Sequence, residues 1–575
     1  MLNTRSPLGR LASLKSPGIG SLQVRRPIAR RGVRYSSHGA SSAPTKSRRK
    51  LWIGLGVGSV AFTGLYFGSE SFRTPVRHGY FAFQRIATVT VACTRCFSHY
   101  RKALNGKYDT KEEYRQALSE CHKTCADITR KAIERNGGVF IKLGQHIGAL
   151  TYLFPDEWTR AMIPLQDRCP ESSLEDIQQM FLDDTGMTID QYFDSFDPTP
   201  LGTASLAQVH RATLKGTKQE VAVKVQHPSL QEFVPLDVLM TKTVFNLIDY
   251  FFKDYPLTWL SEELQNSIFI ELDFREEAKN AQKTQKYFRN FYGQTALRVP
   301  DVIWDQRRIL VMEFLQGARL DDLDYLDRHN IHRDDVSACL SHIFNNMIFT
   351  PGVGLHCDPH PGNLAIVHKP KKTKNQKHNF EIILYDHGLY RDVPTDIRRA
   401  YSHFWLALID KDEAKMRKYA YDFAGITDDQ FRLFAAAITG RDFENATNVE
   451  TRRSRDEILN MTGAISEDGL LSDIMVLLHS VPRIVLLILK TNDLTRLLDE
   501  KLNNPLGPLR TFLIMATYCA RTVYDEGREF ISHKYNSRWT LGRFVEEFVI
   551  WWAYFRRQSQ LLVYDTGMSI RRYLN

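Results

Sequence analysis

The chain has 575 residues, too many for one hydrophobic core, and its 43% hydrophobic and 25% charged content is ordinary for a folded protein of two or three domains. Its net charge of +10 is local: residues 1–50 hold twelve Lys and Arg and no Asp or Glu. The remainder is close to neutral, so the basic pI of about 9.0 gives no argument for a nucleic-acid partner.

In residues 1–50, Arg5, Arg10, Arg25, Arg26, Arg30, Arg31 and Arg34 stand among Ser, Leu and Ala, the composition of a mitochondrial presequence. A disordered basic arm is the plainer alternative. After Arg48-Arg49-Lys50, the run 51–68 carries no charge. At about 1.5 Å per residue it can just cross a hydrocarbon core of about 30 Å, so 51–69 is expected to form one transmembrane helix. If the basic cluster stays in the matrix, the rest of the chain faces the intermembrane space; full import followed by re-entry would give the opposite orientation.

Residues 70–165 have a helical pattern, broken at Asn105-Gly106-Lys107. Cys93, Cys96, Cys121 and Cys125 sit in pairs on the two presumed helices. They would cross-link in an oxidising compartment or bind zinc, or, more simply, pack as small apolar residues. Further on, Lys142 and Gln145 lie one helical turn apart in an apolar setting, which suggests that Lys142 meets a carboxylate elsewhere in the fold.

Residues 166–313 have strand character. Gly202-Thr203-Ala204-Ser205 precedes a strand over 206–214, and a turn then leads to Glu220-Val221-Ala222-Val223-Lys224-Val225. That hairpin has a small-residue loop at its mouth, with Ala204 and Ser205 suited to close approach of phosphates, and a strand that delivers one ammonium. The helix after Trp259 carries Glu271, Asp273 and Glu277. Glu277 is the carboxylate expected to pair with Lys224, which leaves Glu271 and Asp273 for Lys142. Strands over 299–304 and 308–313 then lead into Glu313-Phe314-Leu315, an inter-lobe hinge whose backbone would meet an adenine ring.

Residues 314–440 hold the densest chemistry. Asp358 and Asn363 are five apart in a turn-rich loop, a spacing suited to an acid that orients an attacking hydroxyl and an amide that binds magnesium. The apolar strand 380–385 ends at Asp386-His387-Gly388, where a second magnesium ligand would sit. Lysine strand, Asp-x4-Asn, then strand-Asp-x-Gly is the order of protein-kinase-like folds.

These pieces resemble the UbiB family of aarF-domain-containing atypical kinases. The resemblance rests on Lys142-x-Gly144-Gln145, Ala204-Ser205-Leu206-Ala207-Gln208-Val209-His210, Val221-Ala222-Val223-Lys224, Glu271-x-Asp273, the Asp358 to Asn363 loop and Asp386-x-Gly388. It implies an α+β, two-lobed, atypical protein-kinase-like fold with an N-terminal helical extension and a C-terminal helical region, 441–575. Lys142 and Gln145 would fold over the substrate cleft in a regulatory role, tied down through Glu271 and Asp273. It also implies ATP or ADP with Mg2+ as cofactors, atypical kinase or ATPase activity, and a part in ubiquinone or mitochondrial lipid homeostasis at the inner membrane.

Three positions depart from the pattern: Gly202-Thr203 replace part of the family's alanine-rich loop, and His360 stands where protein kinases place a lysine two residues after the catalytic acid. The insertion Lys369 to Lys374 is a solvated loop or a contact for anionic lipid. No Ala-Pro-Glu segment follows Tyr390 to dock a peptide, so the expected acceptor is a small molecule, a lipid or water. A nucleotide-switched lipid- or quinone-handling protein with little turnover is the alternative, and an aminoglycoside-phosphotransferase-like enzyme a third reading that leaves the Lys142 element unexplained.

Overall fold

The computed structural model describes residues 69–149, 154–166, 169–253, 257–370, 377–439, 477, 481–504, 508–535 and 539–574. The expected presequence and, but for Ser69, the expected membrane span lie outside the described residues. The chain divides into two units, Met1–His78 and Gly79–Asn575. Helix α1 (Glu70–Leu104) begins in the first, and all that follows belongs to the second.

The extension continues with α2 (Lys111–Asn136), α3 (Val139–Ala149) and α4 (Asp156–Met162). Thr110 caps α2 by accepting from the Glu113 N–H, and Gly137 at φ +69° ends it. All eight cysteines are free. Cys121 and Cys125 are buried against Ala103, with Cys96, Tyr100 and Trp158 packed around them.

The first lobe is built on strict alternation. In β4 (Glu220–Gln226), Val221, Val223 and Val225 are fully buried on one face, among Ile177, Met180 and Phe181 of α5 (Leu174–Thr185). Side chains of a strand alternate between faces, so Lys224 is delivered to the other one. There Phe274 and Ala278 of a helix spanning Phe274–Arg289 pack against Leu310 and Met312. Slipping the register by one residue would bury the ammonium among valines and expose the valines, which fixes the pairing. The sheet is antiparallel in the order β1 (Phe193–Phe196), β3 (Ala207–Leu214), β4, β7 (Ile309–Glu313), β6 (Val302–Asp305), with β2 (Gly202–Thr203) beside β3. The strand expected over 299–304 starts only at Val302, as β6: Pro300, which has no N–H to donate, stands ahead of it, and the preceding β5 (Leu297–Arg298) joins the other lobe.

A four-stranded sheet in the order β5, β11 (Phe380–Leu384), β10 (Leu364–His368), β8 (Ala318–Arg319) forms the floor of the second lobe. In the β10–β11 pair Leu364 faces Leu384, and the Tyr385 N–H donates to the Asn363 carbonyl, so Asn363 and Asp386 emerge at the same end. β9 (Leu355–His356) pairs with β12 (Tyr390–Arg391), which brings Asp358 alongside the Asp386 loop. One core then runs from Leu355 through Tyr401, Phe404 and Phe423 to Val485, Ile488, Leu489, Met515 and Cys519. The apolar run 484–489 is thus core. The run 548–552 lies on the last helix (Leu541–Leu574), where Phe548, Val549, Trp551 and Trp552 are exposed. No helix among the described residues is long and apolar enough to cross a membrane.

Candidate functional site

Four carboxylates and three ammoniums meet between the lobes. Lys224 Nζ lies 2.6 Å from Glu277 Oε1 and 3.2 Å from Asp386 Oδ1. Asn363 Nδ2 is 3.5 Å from Asp386 Oδ2. Lys142 Nζ lies 2.8 Å from Glu271 Oε2 and 3.0 Å from Asp358 Oδ2, while Lys490 Nζ is 2.8 Å from Asp358 Oδ1. Gly388 stands between the two groups: a Cβ there would touch Asp386 Oδ1 at 3.6 Å and Glu271 Cγ at 3.8 Å, both ordinary van der Waals contacts.

Burial disfavours every charge in this cluster, and the partners decide the outcome. Desolvation works against the Lys142 ammonium, but Asp358 and Glu271 outweigh it and raise its pKa. Glu277 and Asp386 do the same for Lys224. Burial also opposes the Asp358 carboxylate, but Lys142 and Lys490 hold its pKa well below the ordinary value. Asp386 is lowered against the same penalty, by Lys224 and then His356. Glu271 and Glu277 are raised, since burial there exceeds the help each receives from its lysine. His360 is lowered by burial and is neutral near pH 7.

Two expectations, for Asp273 and Gln145, are corrected. Asp273 does not meet Lys142. The expected single helix breaks into one ending at Glu271 and one starting at Phe274, and Asp273 is the N-cap between them, accepting from the Arg275 N–H and pairing with the Arg275 guanidinium at 2.6 Å. Gln145 turns away from the carboxylates, and its Nε2 donates to the Leu165 carbonyl at 2.9 Å. At the hinge, the Glu313 N–H donates to the Asp301 carbonyl at 2.8 Å and the Leu315 carbonyl accepts from Tyr385 Oη at 3.1 Å, so neither of those groups is open to an adenine.

The small-residue loop is pinned from beneath. His227 Nε2 donates to the Ala204 carbonyl at 3.0 Å, and its Nδ1 accepts from Ser172 Oγ at 2.8 Å. Ser205 is buried, and Thr203 Oγ1 is a buried hydroxyl with no protein partner among the described residues.

Sequence reasoning missed two residues. His356 links the two acidic loops, accepting from the Asp358 N–H and donating to the Asp386 carbonyl. Lys490 lies in the region 441–575, expected only to be helical, and a lone lysine at the end of the apolar run Ile484-Val485-Leu486-Leu487-Ile488-Leu489 was its one visible signal.

A five-stranded antiparallel path backed by a helix, its central lysine paired to that helix, above a lobe whose strand ends carry an acid-and-amide loop and a second acid, is a protein-kinase-like arrangement. A family model, the ABC1 atypical kinase-like domain, matches residues 164–420. The ABC1 family protein MCP2 of Saccharomyces cerevisiae is 55% identical over 553 residues, 95% of this chain and 96% of the yeast protein. Its homologue in Schizosaccharomyces pombe is 47% identical over 81% of this chain and 83% of its own. AarF domain-containing protein kinase 1 of Gallus gallus is 35% identical over 81% of this chain and 87% of its own. The chain belongs to the ABC1 (UbiB/AarF) family of atypical kinase-like proteins.

Proposed function

We propose that the chain binds an adenine nucleotide with magnesium between its lobes and acts as an ATP-dependent atypical kinase or ATPase of the mitochondrial inner membrane, in ubiquinone or mitochondrial lipid homeostasis. The observation that carries this reading is the Lys224 ammonium, held at once by Glu277 and Asp386, with the Asn363 amide against the same Asp386. In this reading Lys224 orients the α and β phosphates, Glu277 fixes Lys224, and Asp358 orients the acceptor hydroxyl.

The donor set fits magnesium. The oxygen and nitrogen of an amide are interchangeable by a flip, which would turn Asn363 Oδ1 toward Asp386. Among the described residues no cluster of three or more His, Cys, Asp or Glu could hold a metal alone. One carboxylate and one amide oxygen, completed by phosphates and water, suit magnesium, which would offset phosphate charge when bound. The basic, acid-free N-terminus supports mitochondrial import, and the uncharged run 51–68 with the exposed aromatic face of the last helix supports a lipid surface.

One observation favours the second reading, a nucleotide-switched lipid- or quinone-handling protein: both oxygens of Asp358 are occupied by lysines, so an acceptor must displace one. The test is titration of the full chain with ATP and ADP, with and without magnesium, together with phosphate release in the presence of membranes. Asp386→Asn is expected to lose about tenfold or more in magnesium-dependent ATP affinity, the scale of one charged contact. Unchanged affinity removes the metal assignment. Lys142→Ala is expected to raise turnover. Tight binding without phosphate release in any variant selects the switch.

A further inference from the structure

Lys490 lies outside the region 164–420 that the family model matches, yet it makes a shorter contact with Asp358 than Lys142 does, 2.8 Å against 3.0 Å. Its helix (Arg483–Lys501) is anchored on both sides of it. Val485 and Ile488 are fully buried, Thr491 is fully buried, and Asn492 Nδ2 donates to Tyr401 Oη at 2.6 Å. The ammonium is therefore held by a rigid element and not by a loop.

The two lysines on Asp358 are not equivalent. Lys142 is shared with a second carboxylate, Glu271, and sits on the extension, whereas the ion pair of Lys490 is with Asp358. An ammonium has three N–H donors, so an ion pair with one carboxylate oxygen leaves capacity for another acceptor beside Asp358. The neighbouring position that carries a cation in protein kinases is here His360, an imidazole whose pKa is held below its ordinary value and which is therefore neutral near pH 7. Charge developing on a phosphoryl group beside Asp358 would otherwise face no fixed cation from the loop itself.

We propose that Lys490 is the cation that contacts the terminal phosphate of bound ATP, supplying from the C-terminal helices the positive charge that the Asp358 loop lacks. This rests on the nucleotide-binding reading above. In the step it serves, the bond between the γ-phosphorus and the β,γ-bridging oxygen breaks and ADP leaves with the electron pair. A bond forms from the γ-phosphorus to the oxygen of a hydroxyl or water, whose proton passes to Asp358. Lys490 keeps one N–H on Asp358 and turns another to a γ-phosphate oxygen, and Lys142 withdraws with the extension to admit the acceptor.

The distinguishing feature is selectivity, because ADP has no terminal phosphate for Lys490 to reach. In the full chain, Lys490→Met is expected to weaken magnesium-ATP binding about tenfold or more and to leave magnesium-ADP binding within about twofold, the effect of one charged hydrogen bond. Lys490→Arg is expected to recover most of the difference. Parallel loss for both nucleotides, or loss for neither, overturns the proposal, since a merely structural lysine would not separate them. If Lys490→Met does not fold, Asp358→Asn with and without Lys490→Met replaces it, because that background has no Asp358 charge to leave unpaired. The ATP preference must still fall in the double variant; if it persists, the proposal fails. A wild-type chain that binds neither nucleotide overturns the underlying reading as well, which separates that failure from this one.

Discussion

A neutral imidazole joins the two acidic loops. Burial lowers the pKa of His356, and its two partners place the proton on Nε2: that nitrogen donates to the Asp386 carbonyl at 3.0 Å, while Nδ1 accepts from the Asp358 N–H at 3.2 Å. Removing the ring leaves a donor and an acceptor without partners in a closed environment, each costing about 1–3 kcal/mol. His356→Leu is therefore expected to lose about 2–4 kcal/mol in a denaturant titration and to weaken nucleotide binding in parallel; stability equal to the wild type would show that the loops are held by other means. At this scale the sequence shows chemistry better than geometry. Lys224, Glu277, Asn363 and Asp386 were visible by residue type and order, but Lys490 was not, because its 132-residue separation from Asp358 leaves no local trace. Asp273 was legible and was misread: Asp with Glu276 three positions later, before an amphipathic run, is a helix N-terminus signature.

Among the elements, α3 presents opposite demands on two sides. Lys142 reaches across to Glu271 and Asp358, while Gly144 seats the helix: a Cβ there would lie 2.4 Å from Leu165 Cδ1 and 3.3 Å from Ile133 Cδ1. Gly148, one turn on, would meet Met162 Cβ at 3.3 Å. Leu165 and Met162 are fully buried, so little room remains for them to move aside. Gly144→Val is expected to cost about 1–3 kcal/mol by overpacking and to shift α3 enough to lift Lys142 from Asp358. The check is a thermal melt beside phosphate release: a lowered melting temperature with faster turnover is the expected pair, and faster turnover should be absent if the helix merely tightens elsewhere. The glycine in Lys142-x-Gly144-Gln145 is thus a packing residue, and Gln145 serves the same seat through the Leu165 carbonyl. Strand β4 was readable because alternation of period two forces Lys224 opposite the valines, whereas the start of β6 was read three residues early, across a Pro300 that has no N–H for a ladder.

Across the whole molecule, the helix Arg483–Lys501 is not an appendage to the second lobe. Val485, Leu486, Ile488 and Leu489 belong to the core that holds Tyr401, Phe404 and Phe423, and Leu494, Leu498 and Leu502 enter the core built on Leu340, Phe344 and Ile382. One helix therefore closes two cores and also carries Lys490 to Asp358. Each large aliphatic side chain contributes about 1.5–3 kcal/mol on burial, so this helix alone supplies a hydrophobic term comparable to the net stability of a typical domain, about 5–15 kcal/mol. A chain ended at residue 440 is expected to show no cooperative unfolding transition and to bind the hydrophobic dye ANS at room temperature, while the full chain shows a transition that includes both regions. A soluble 1–440 fragment with a sharp transition and wild-type nucleotide binding would mean that the second lobe folds without its last helices. In that case Lys490 would be a contact added to a complete site, and not a part of the structure that the site needs in order to form.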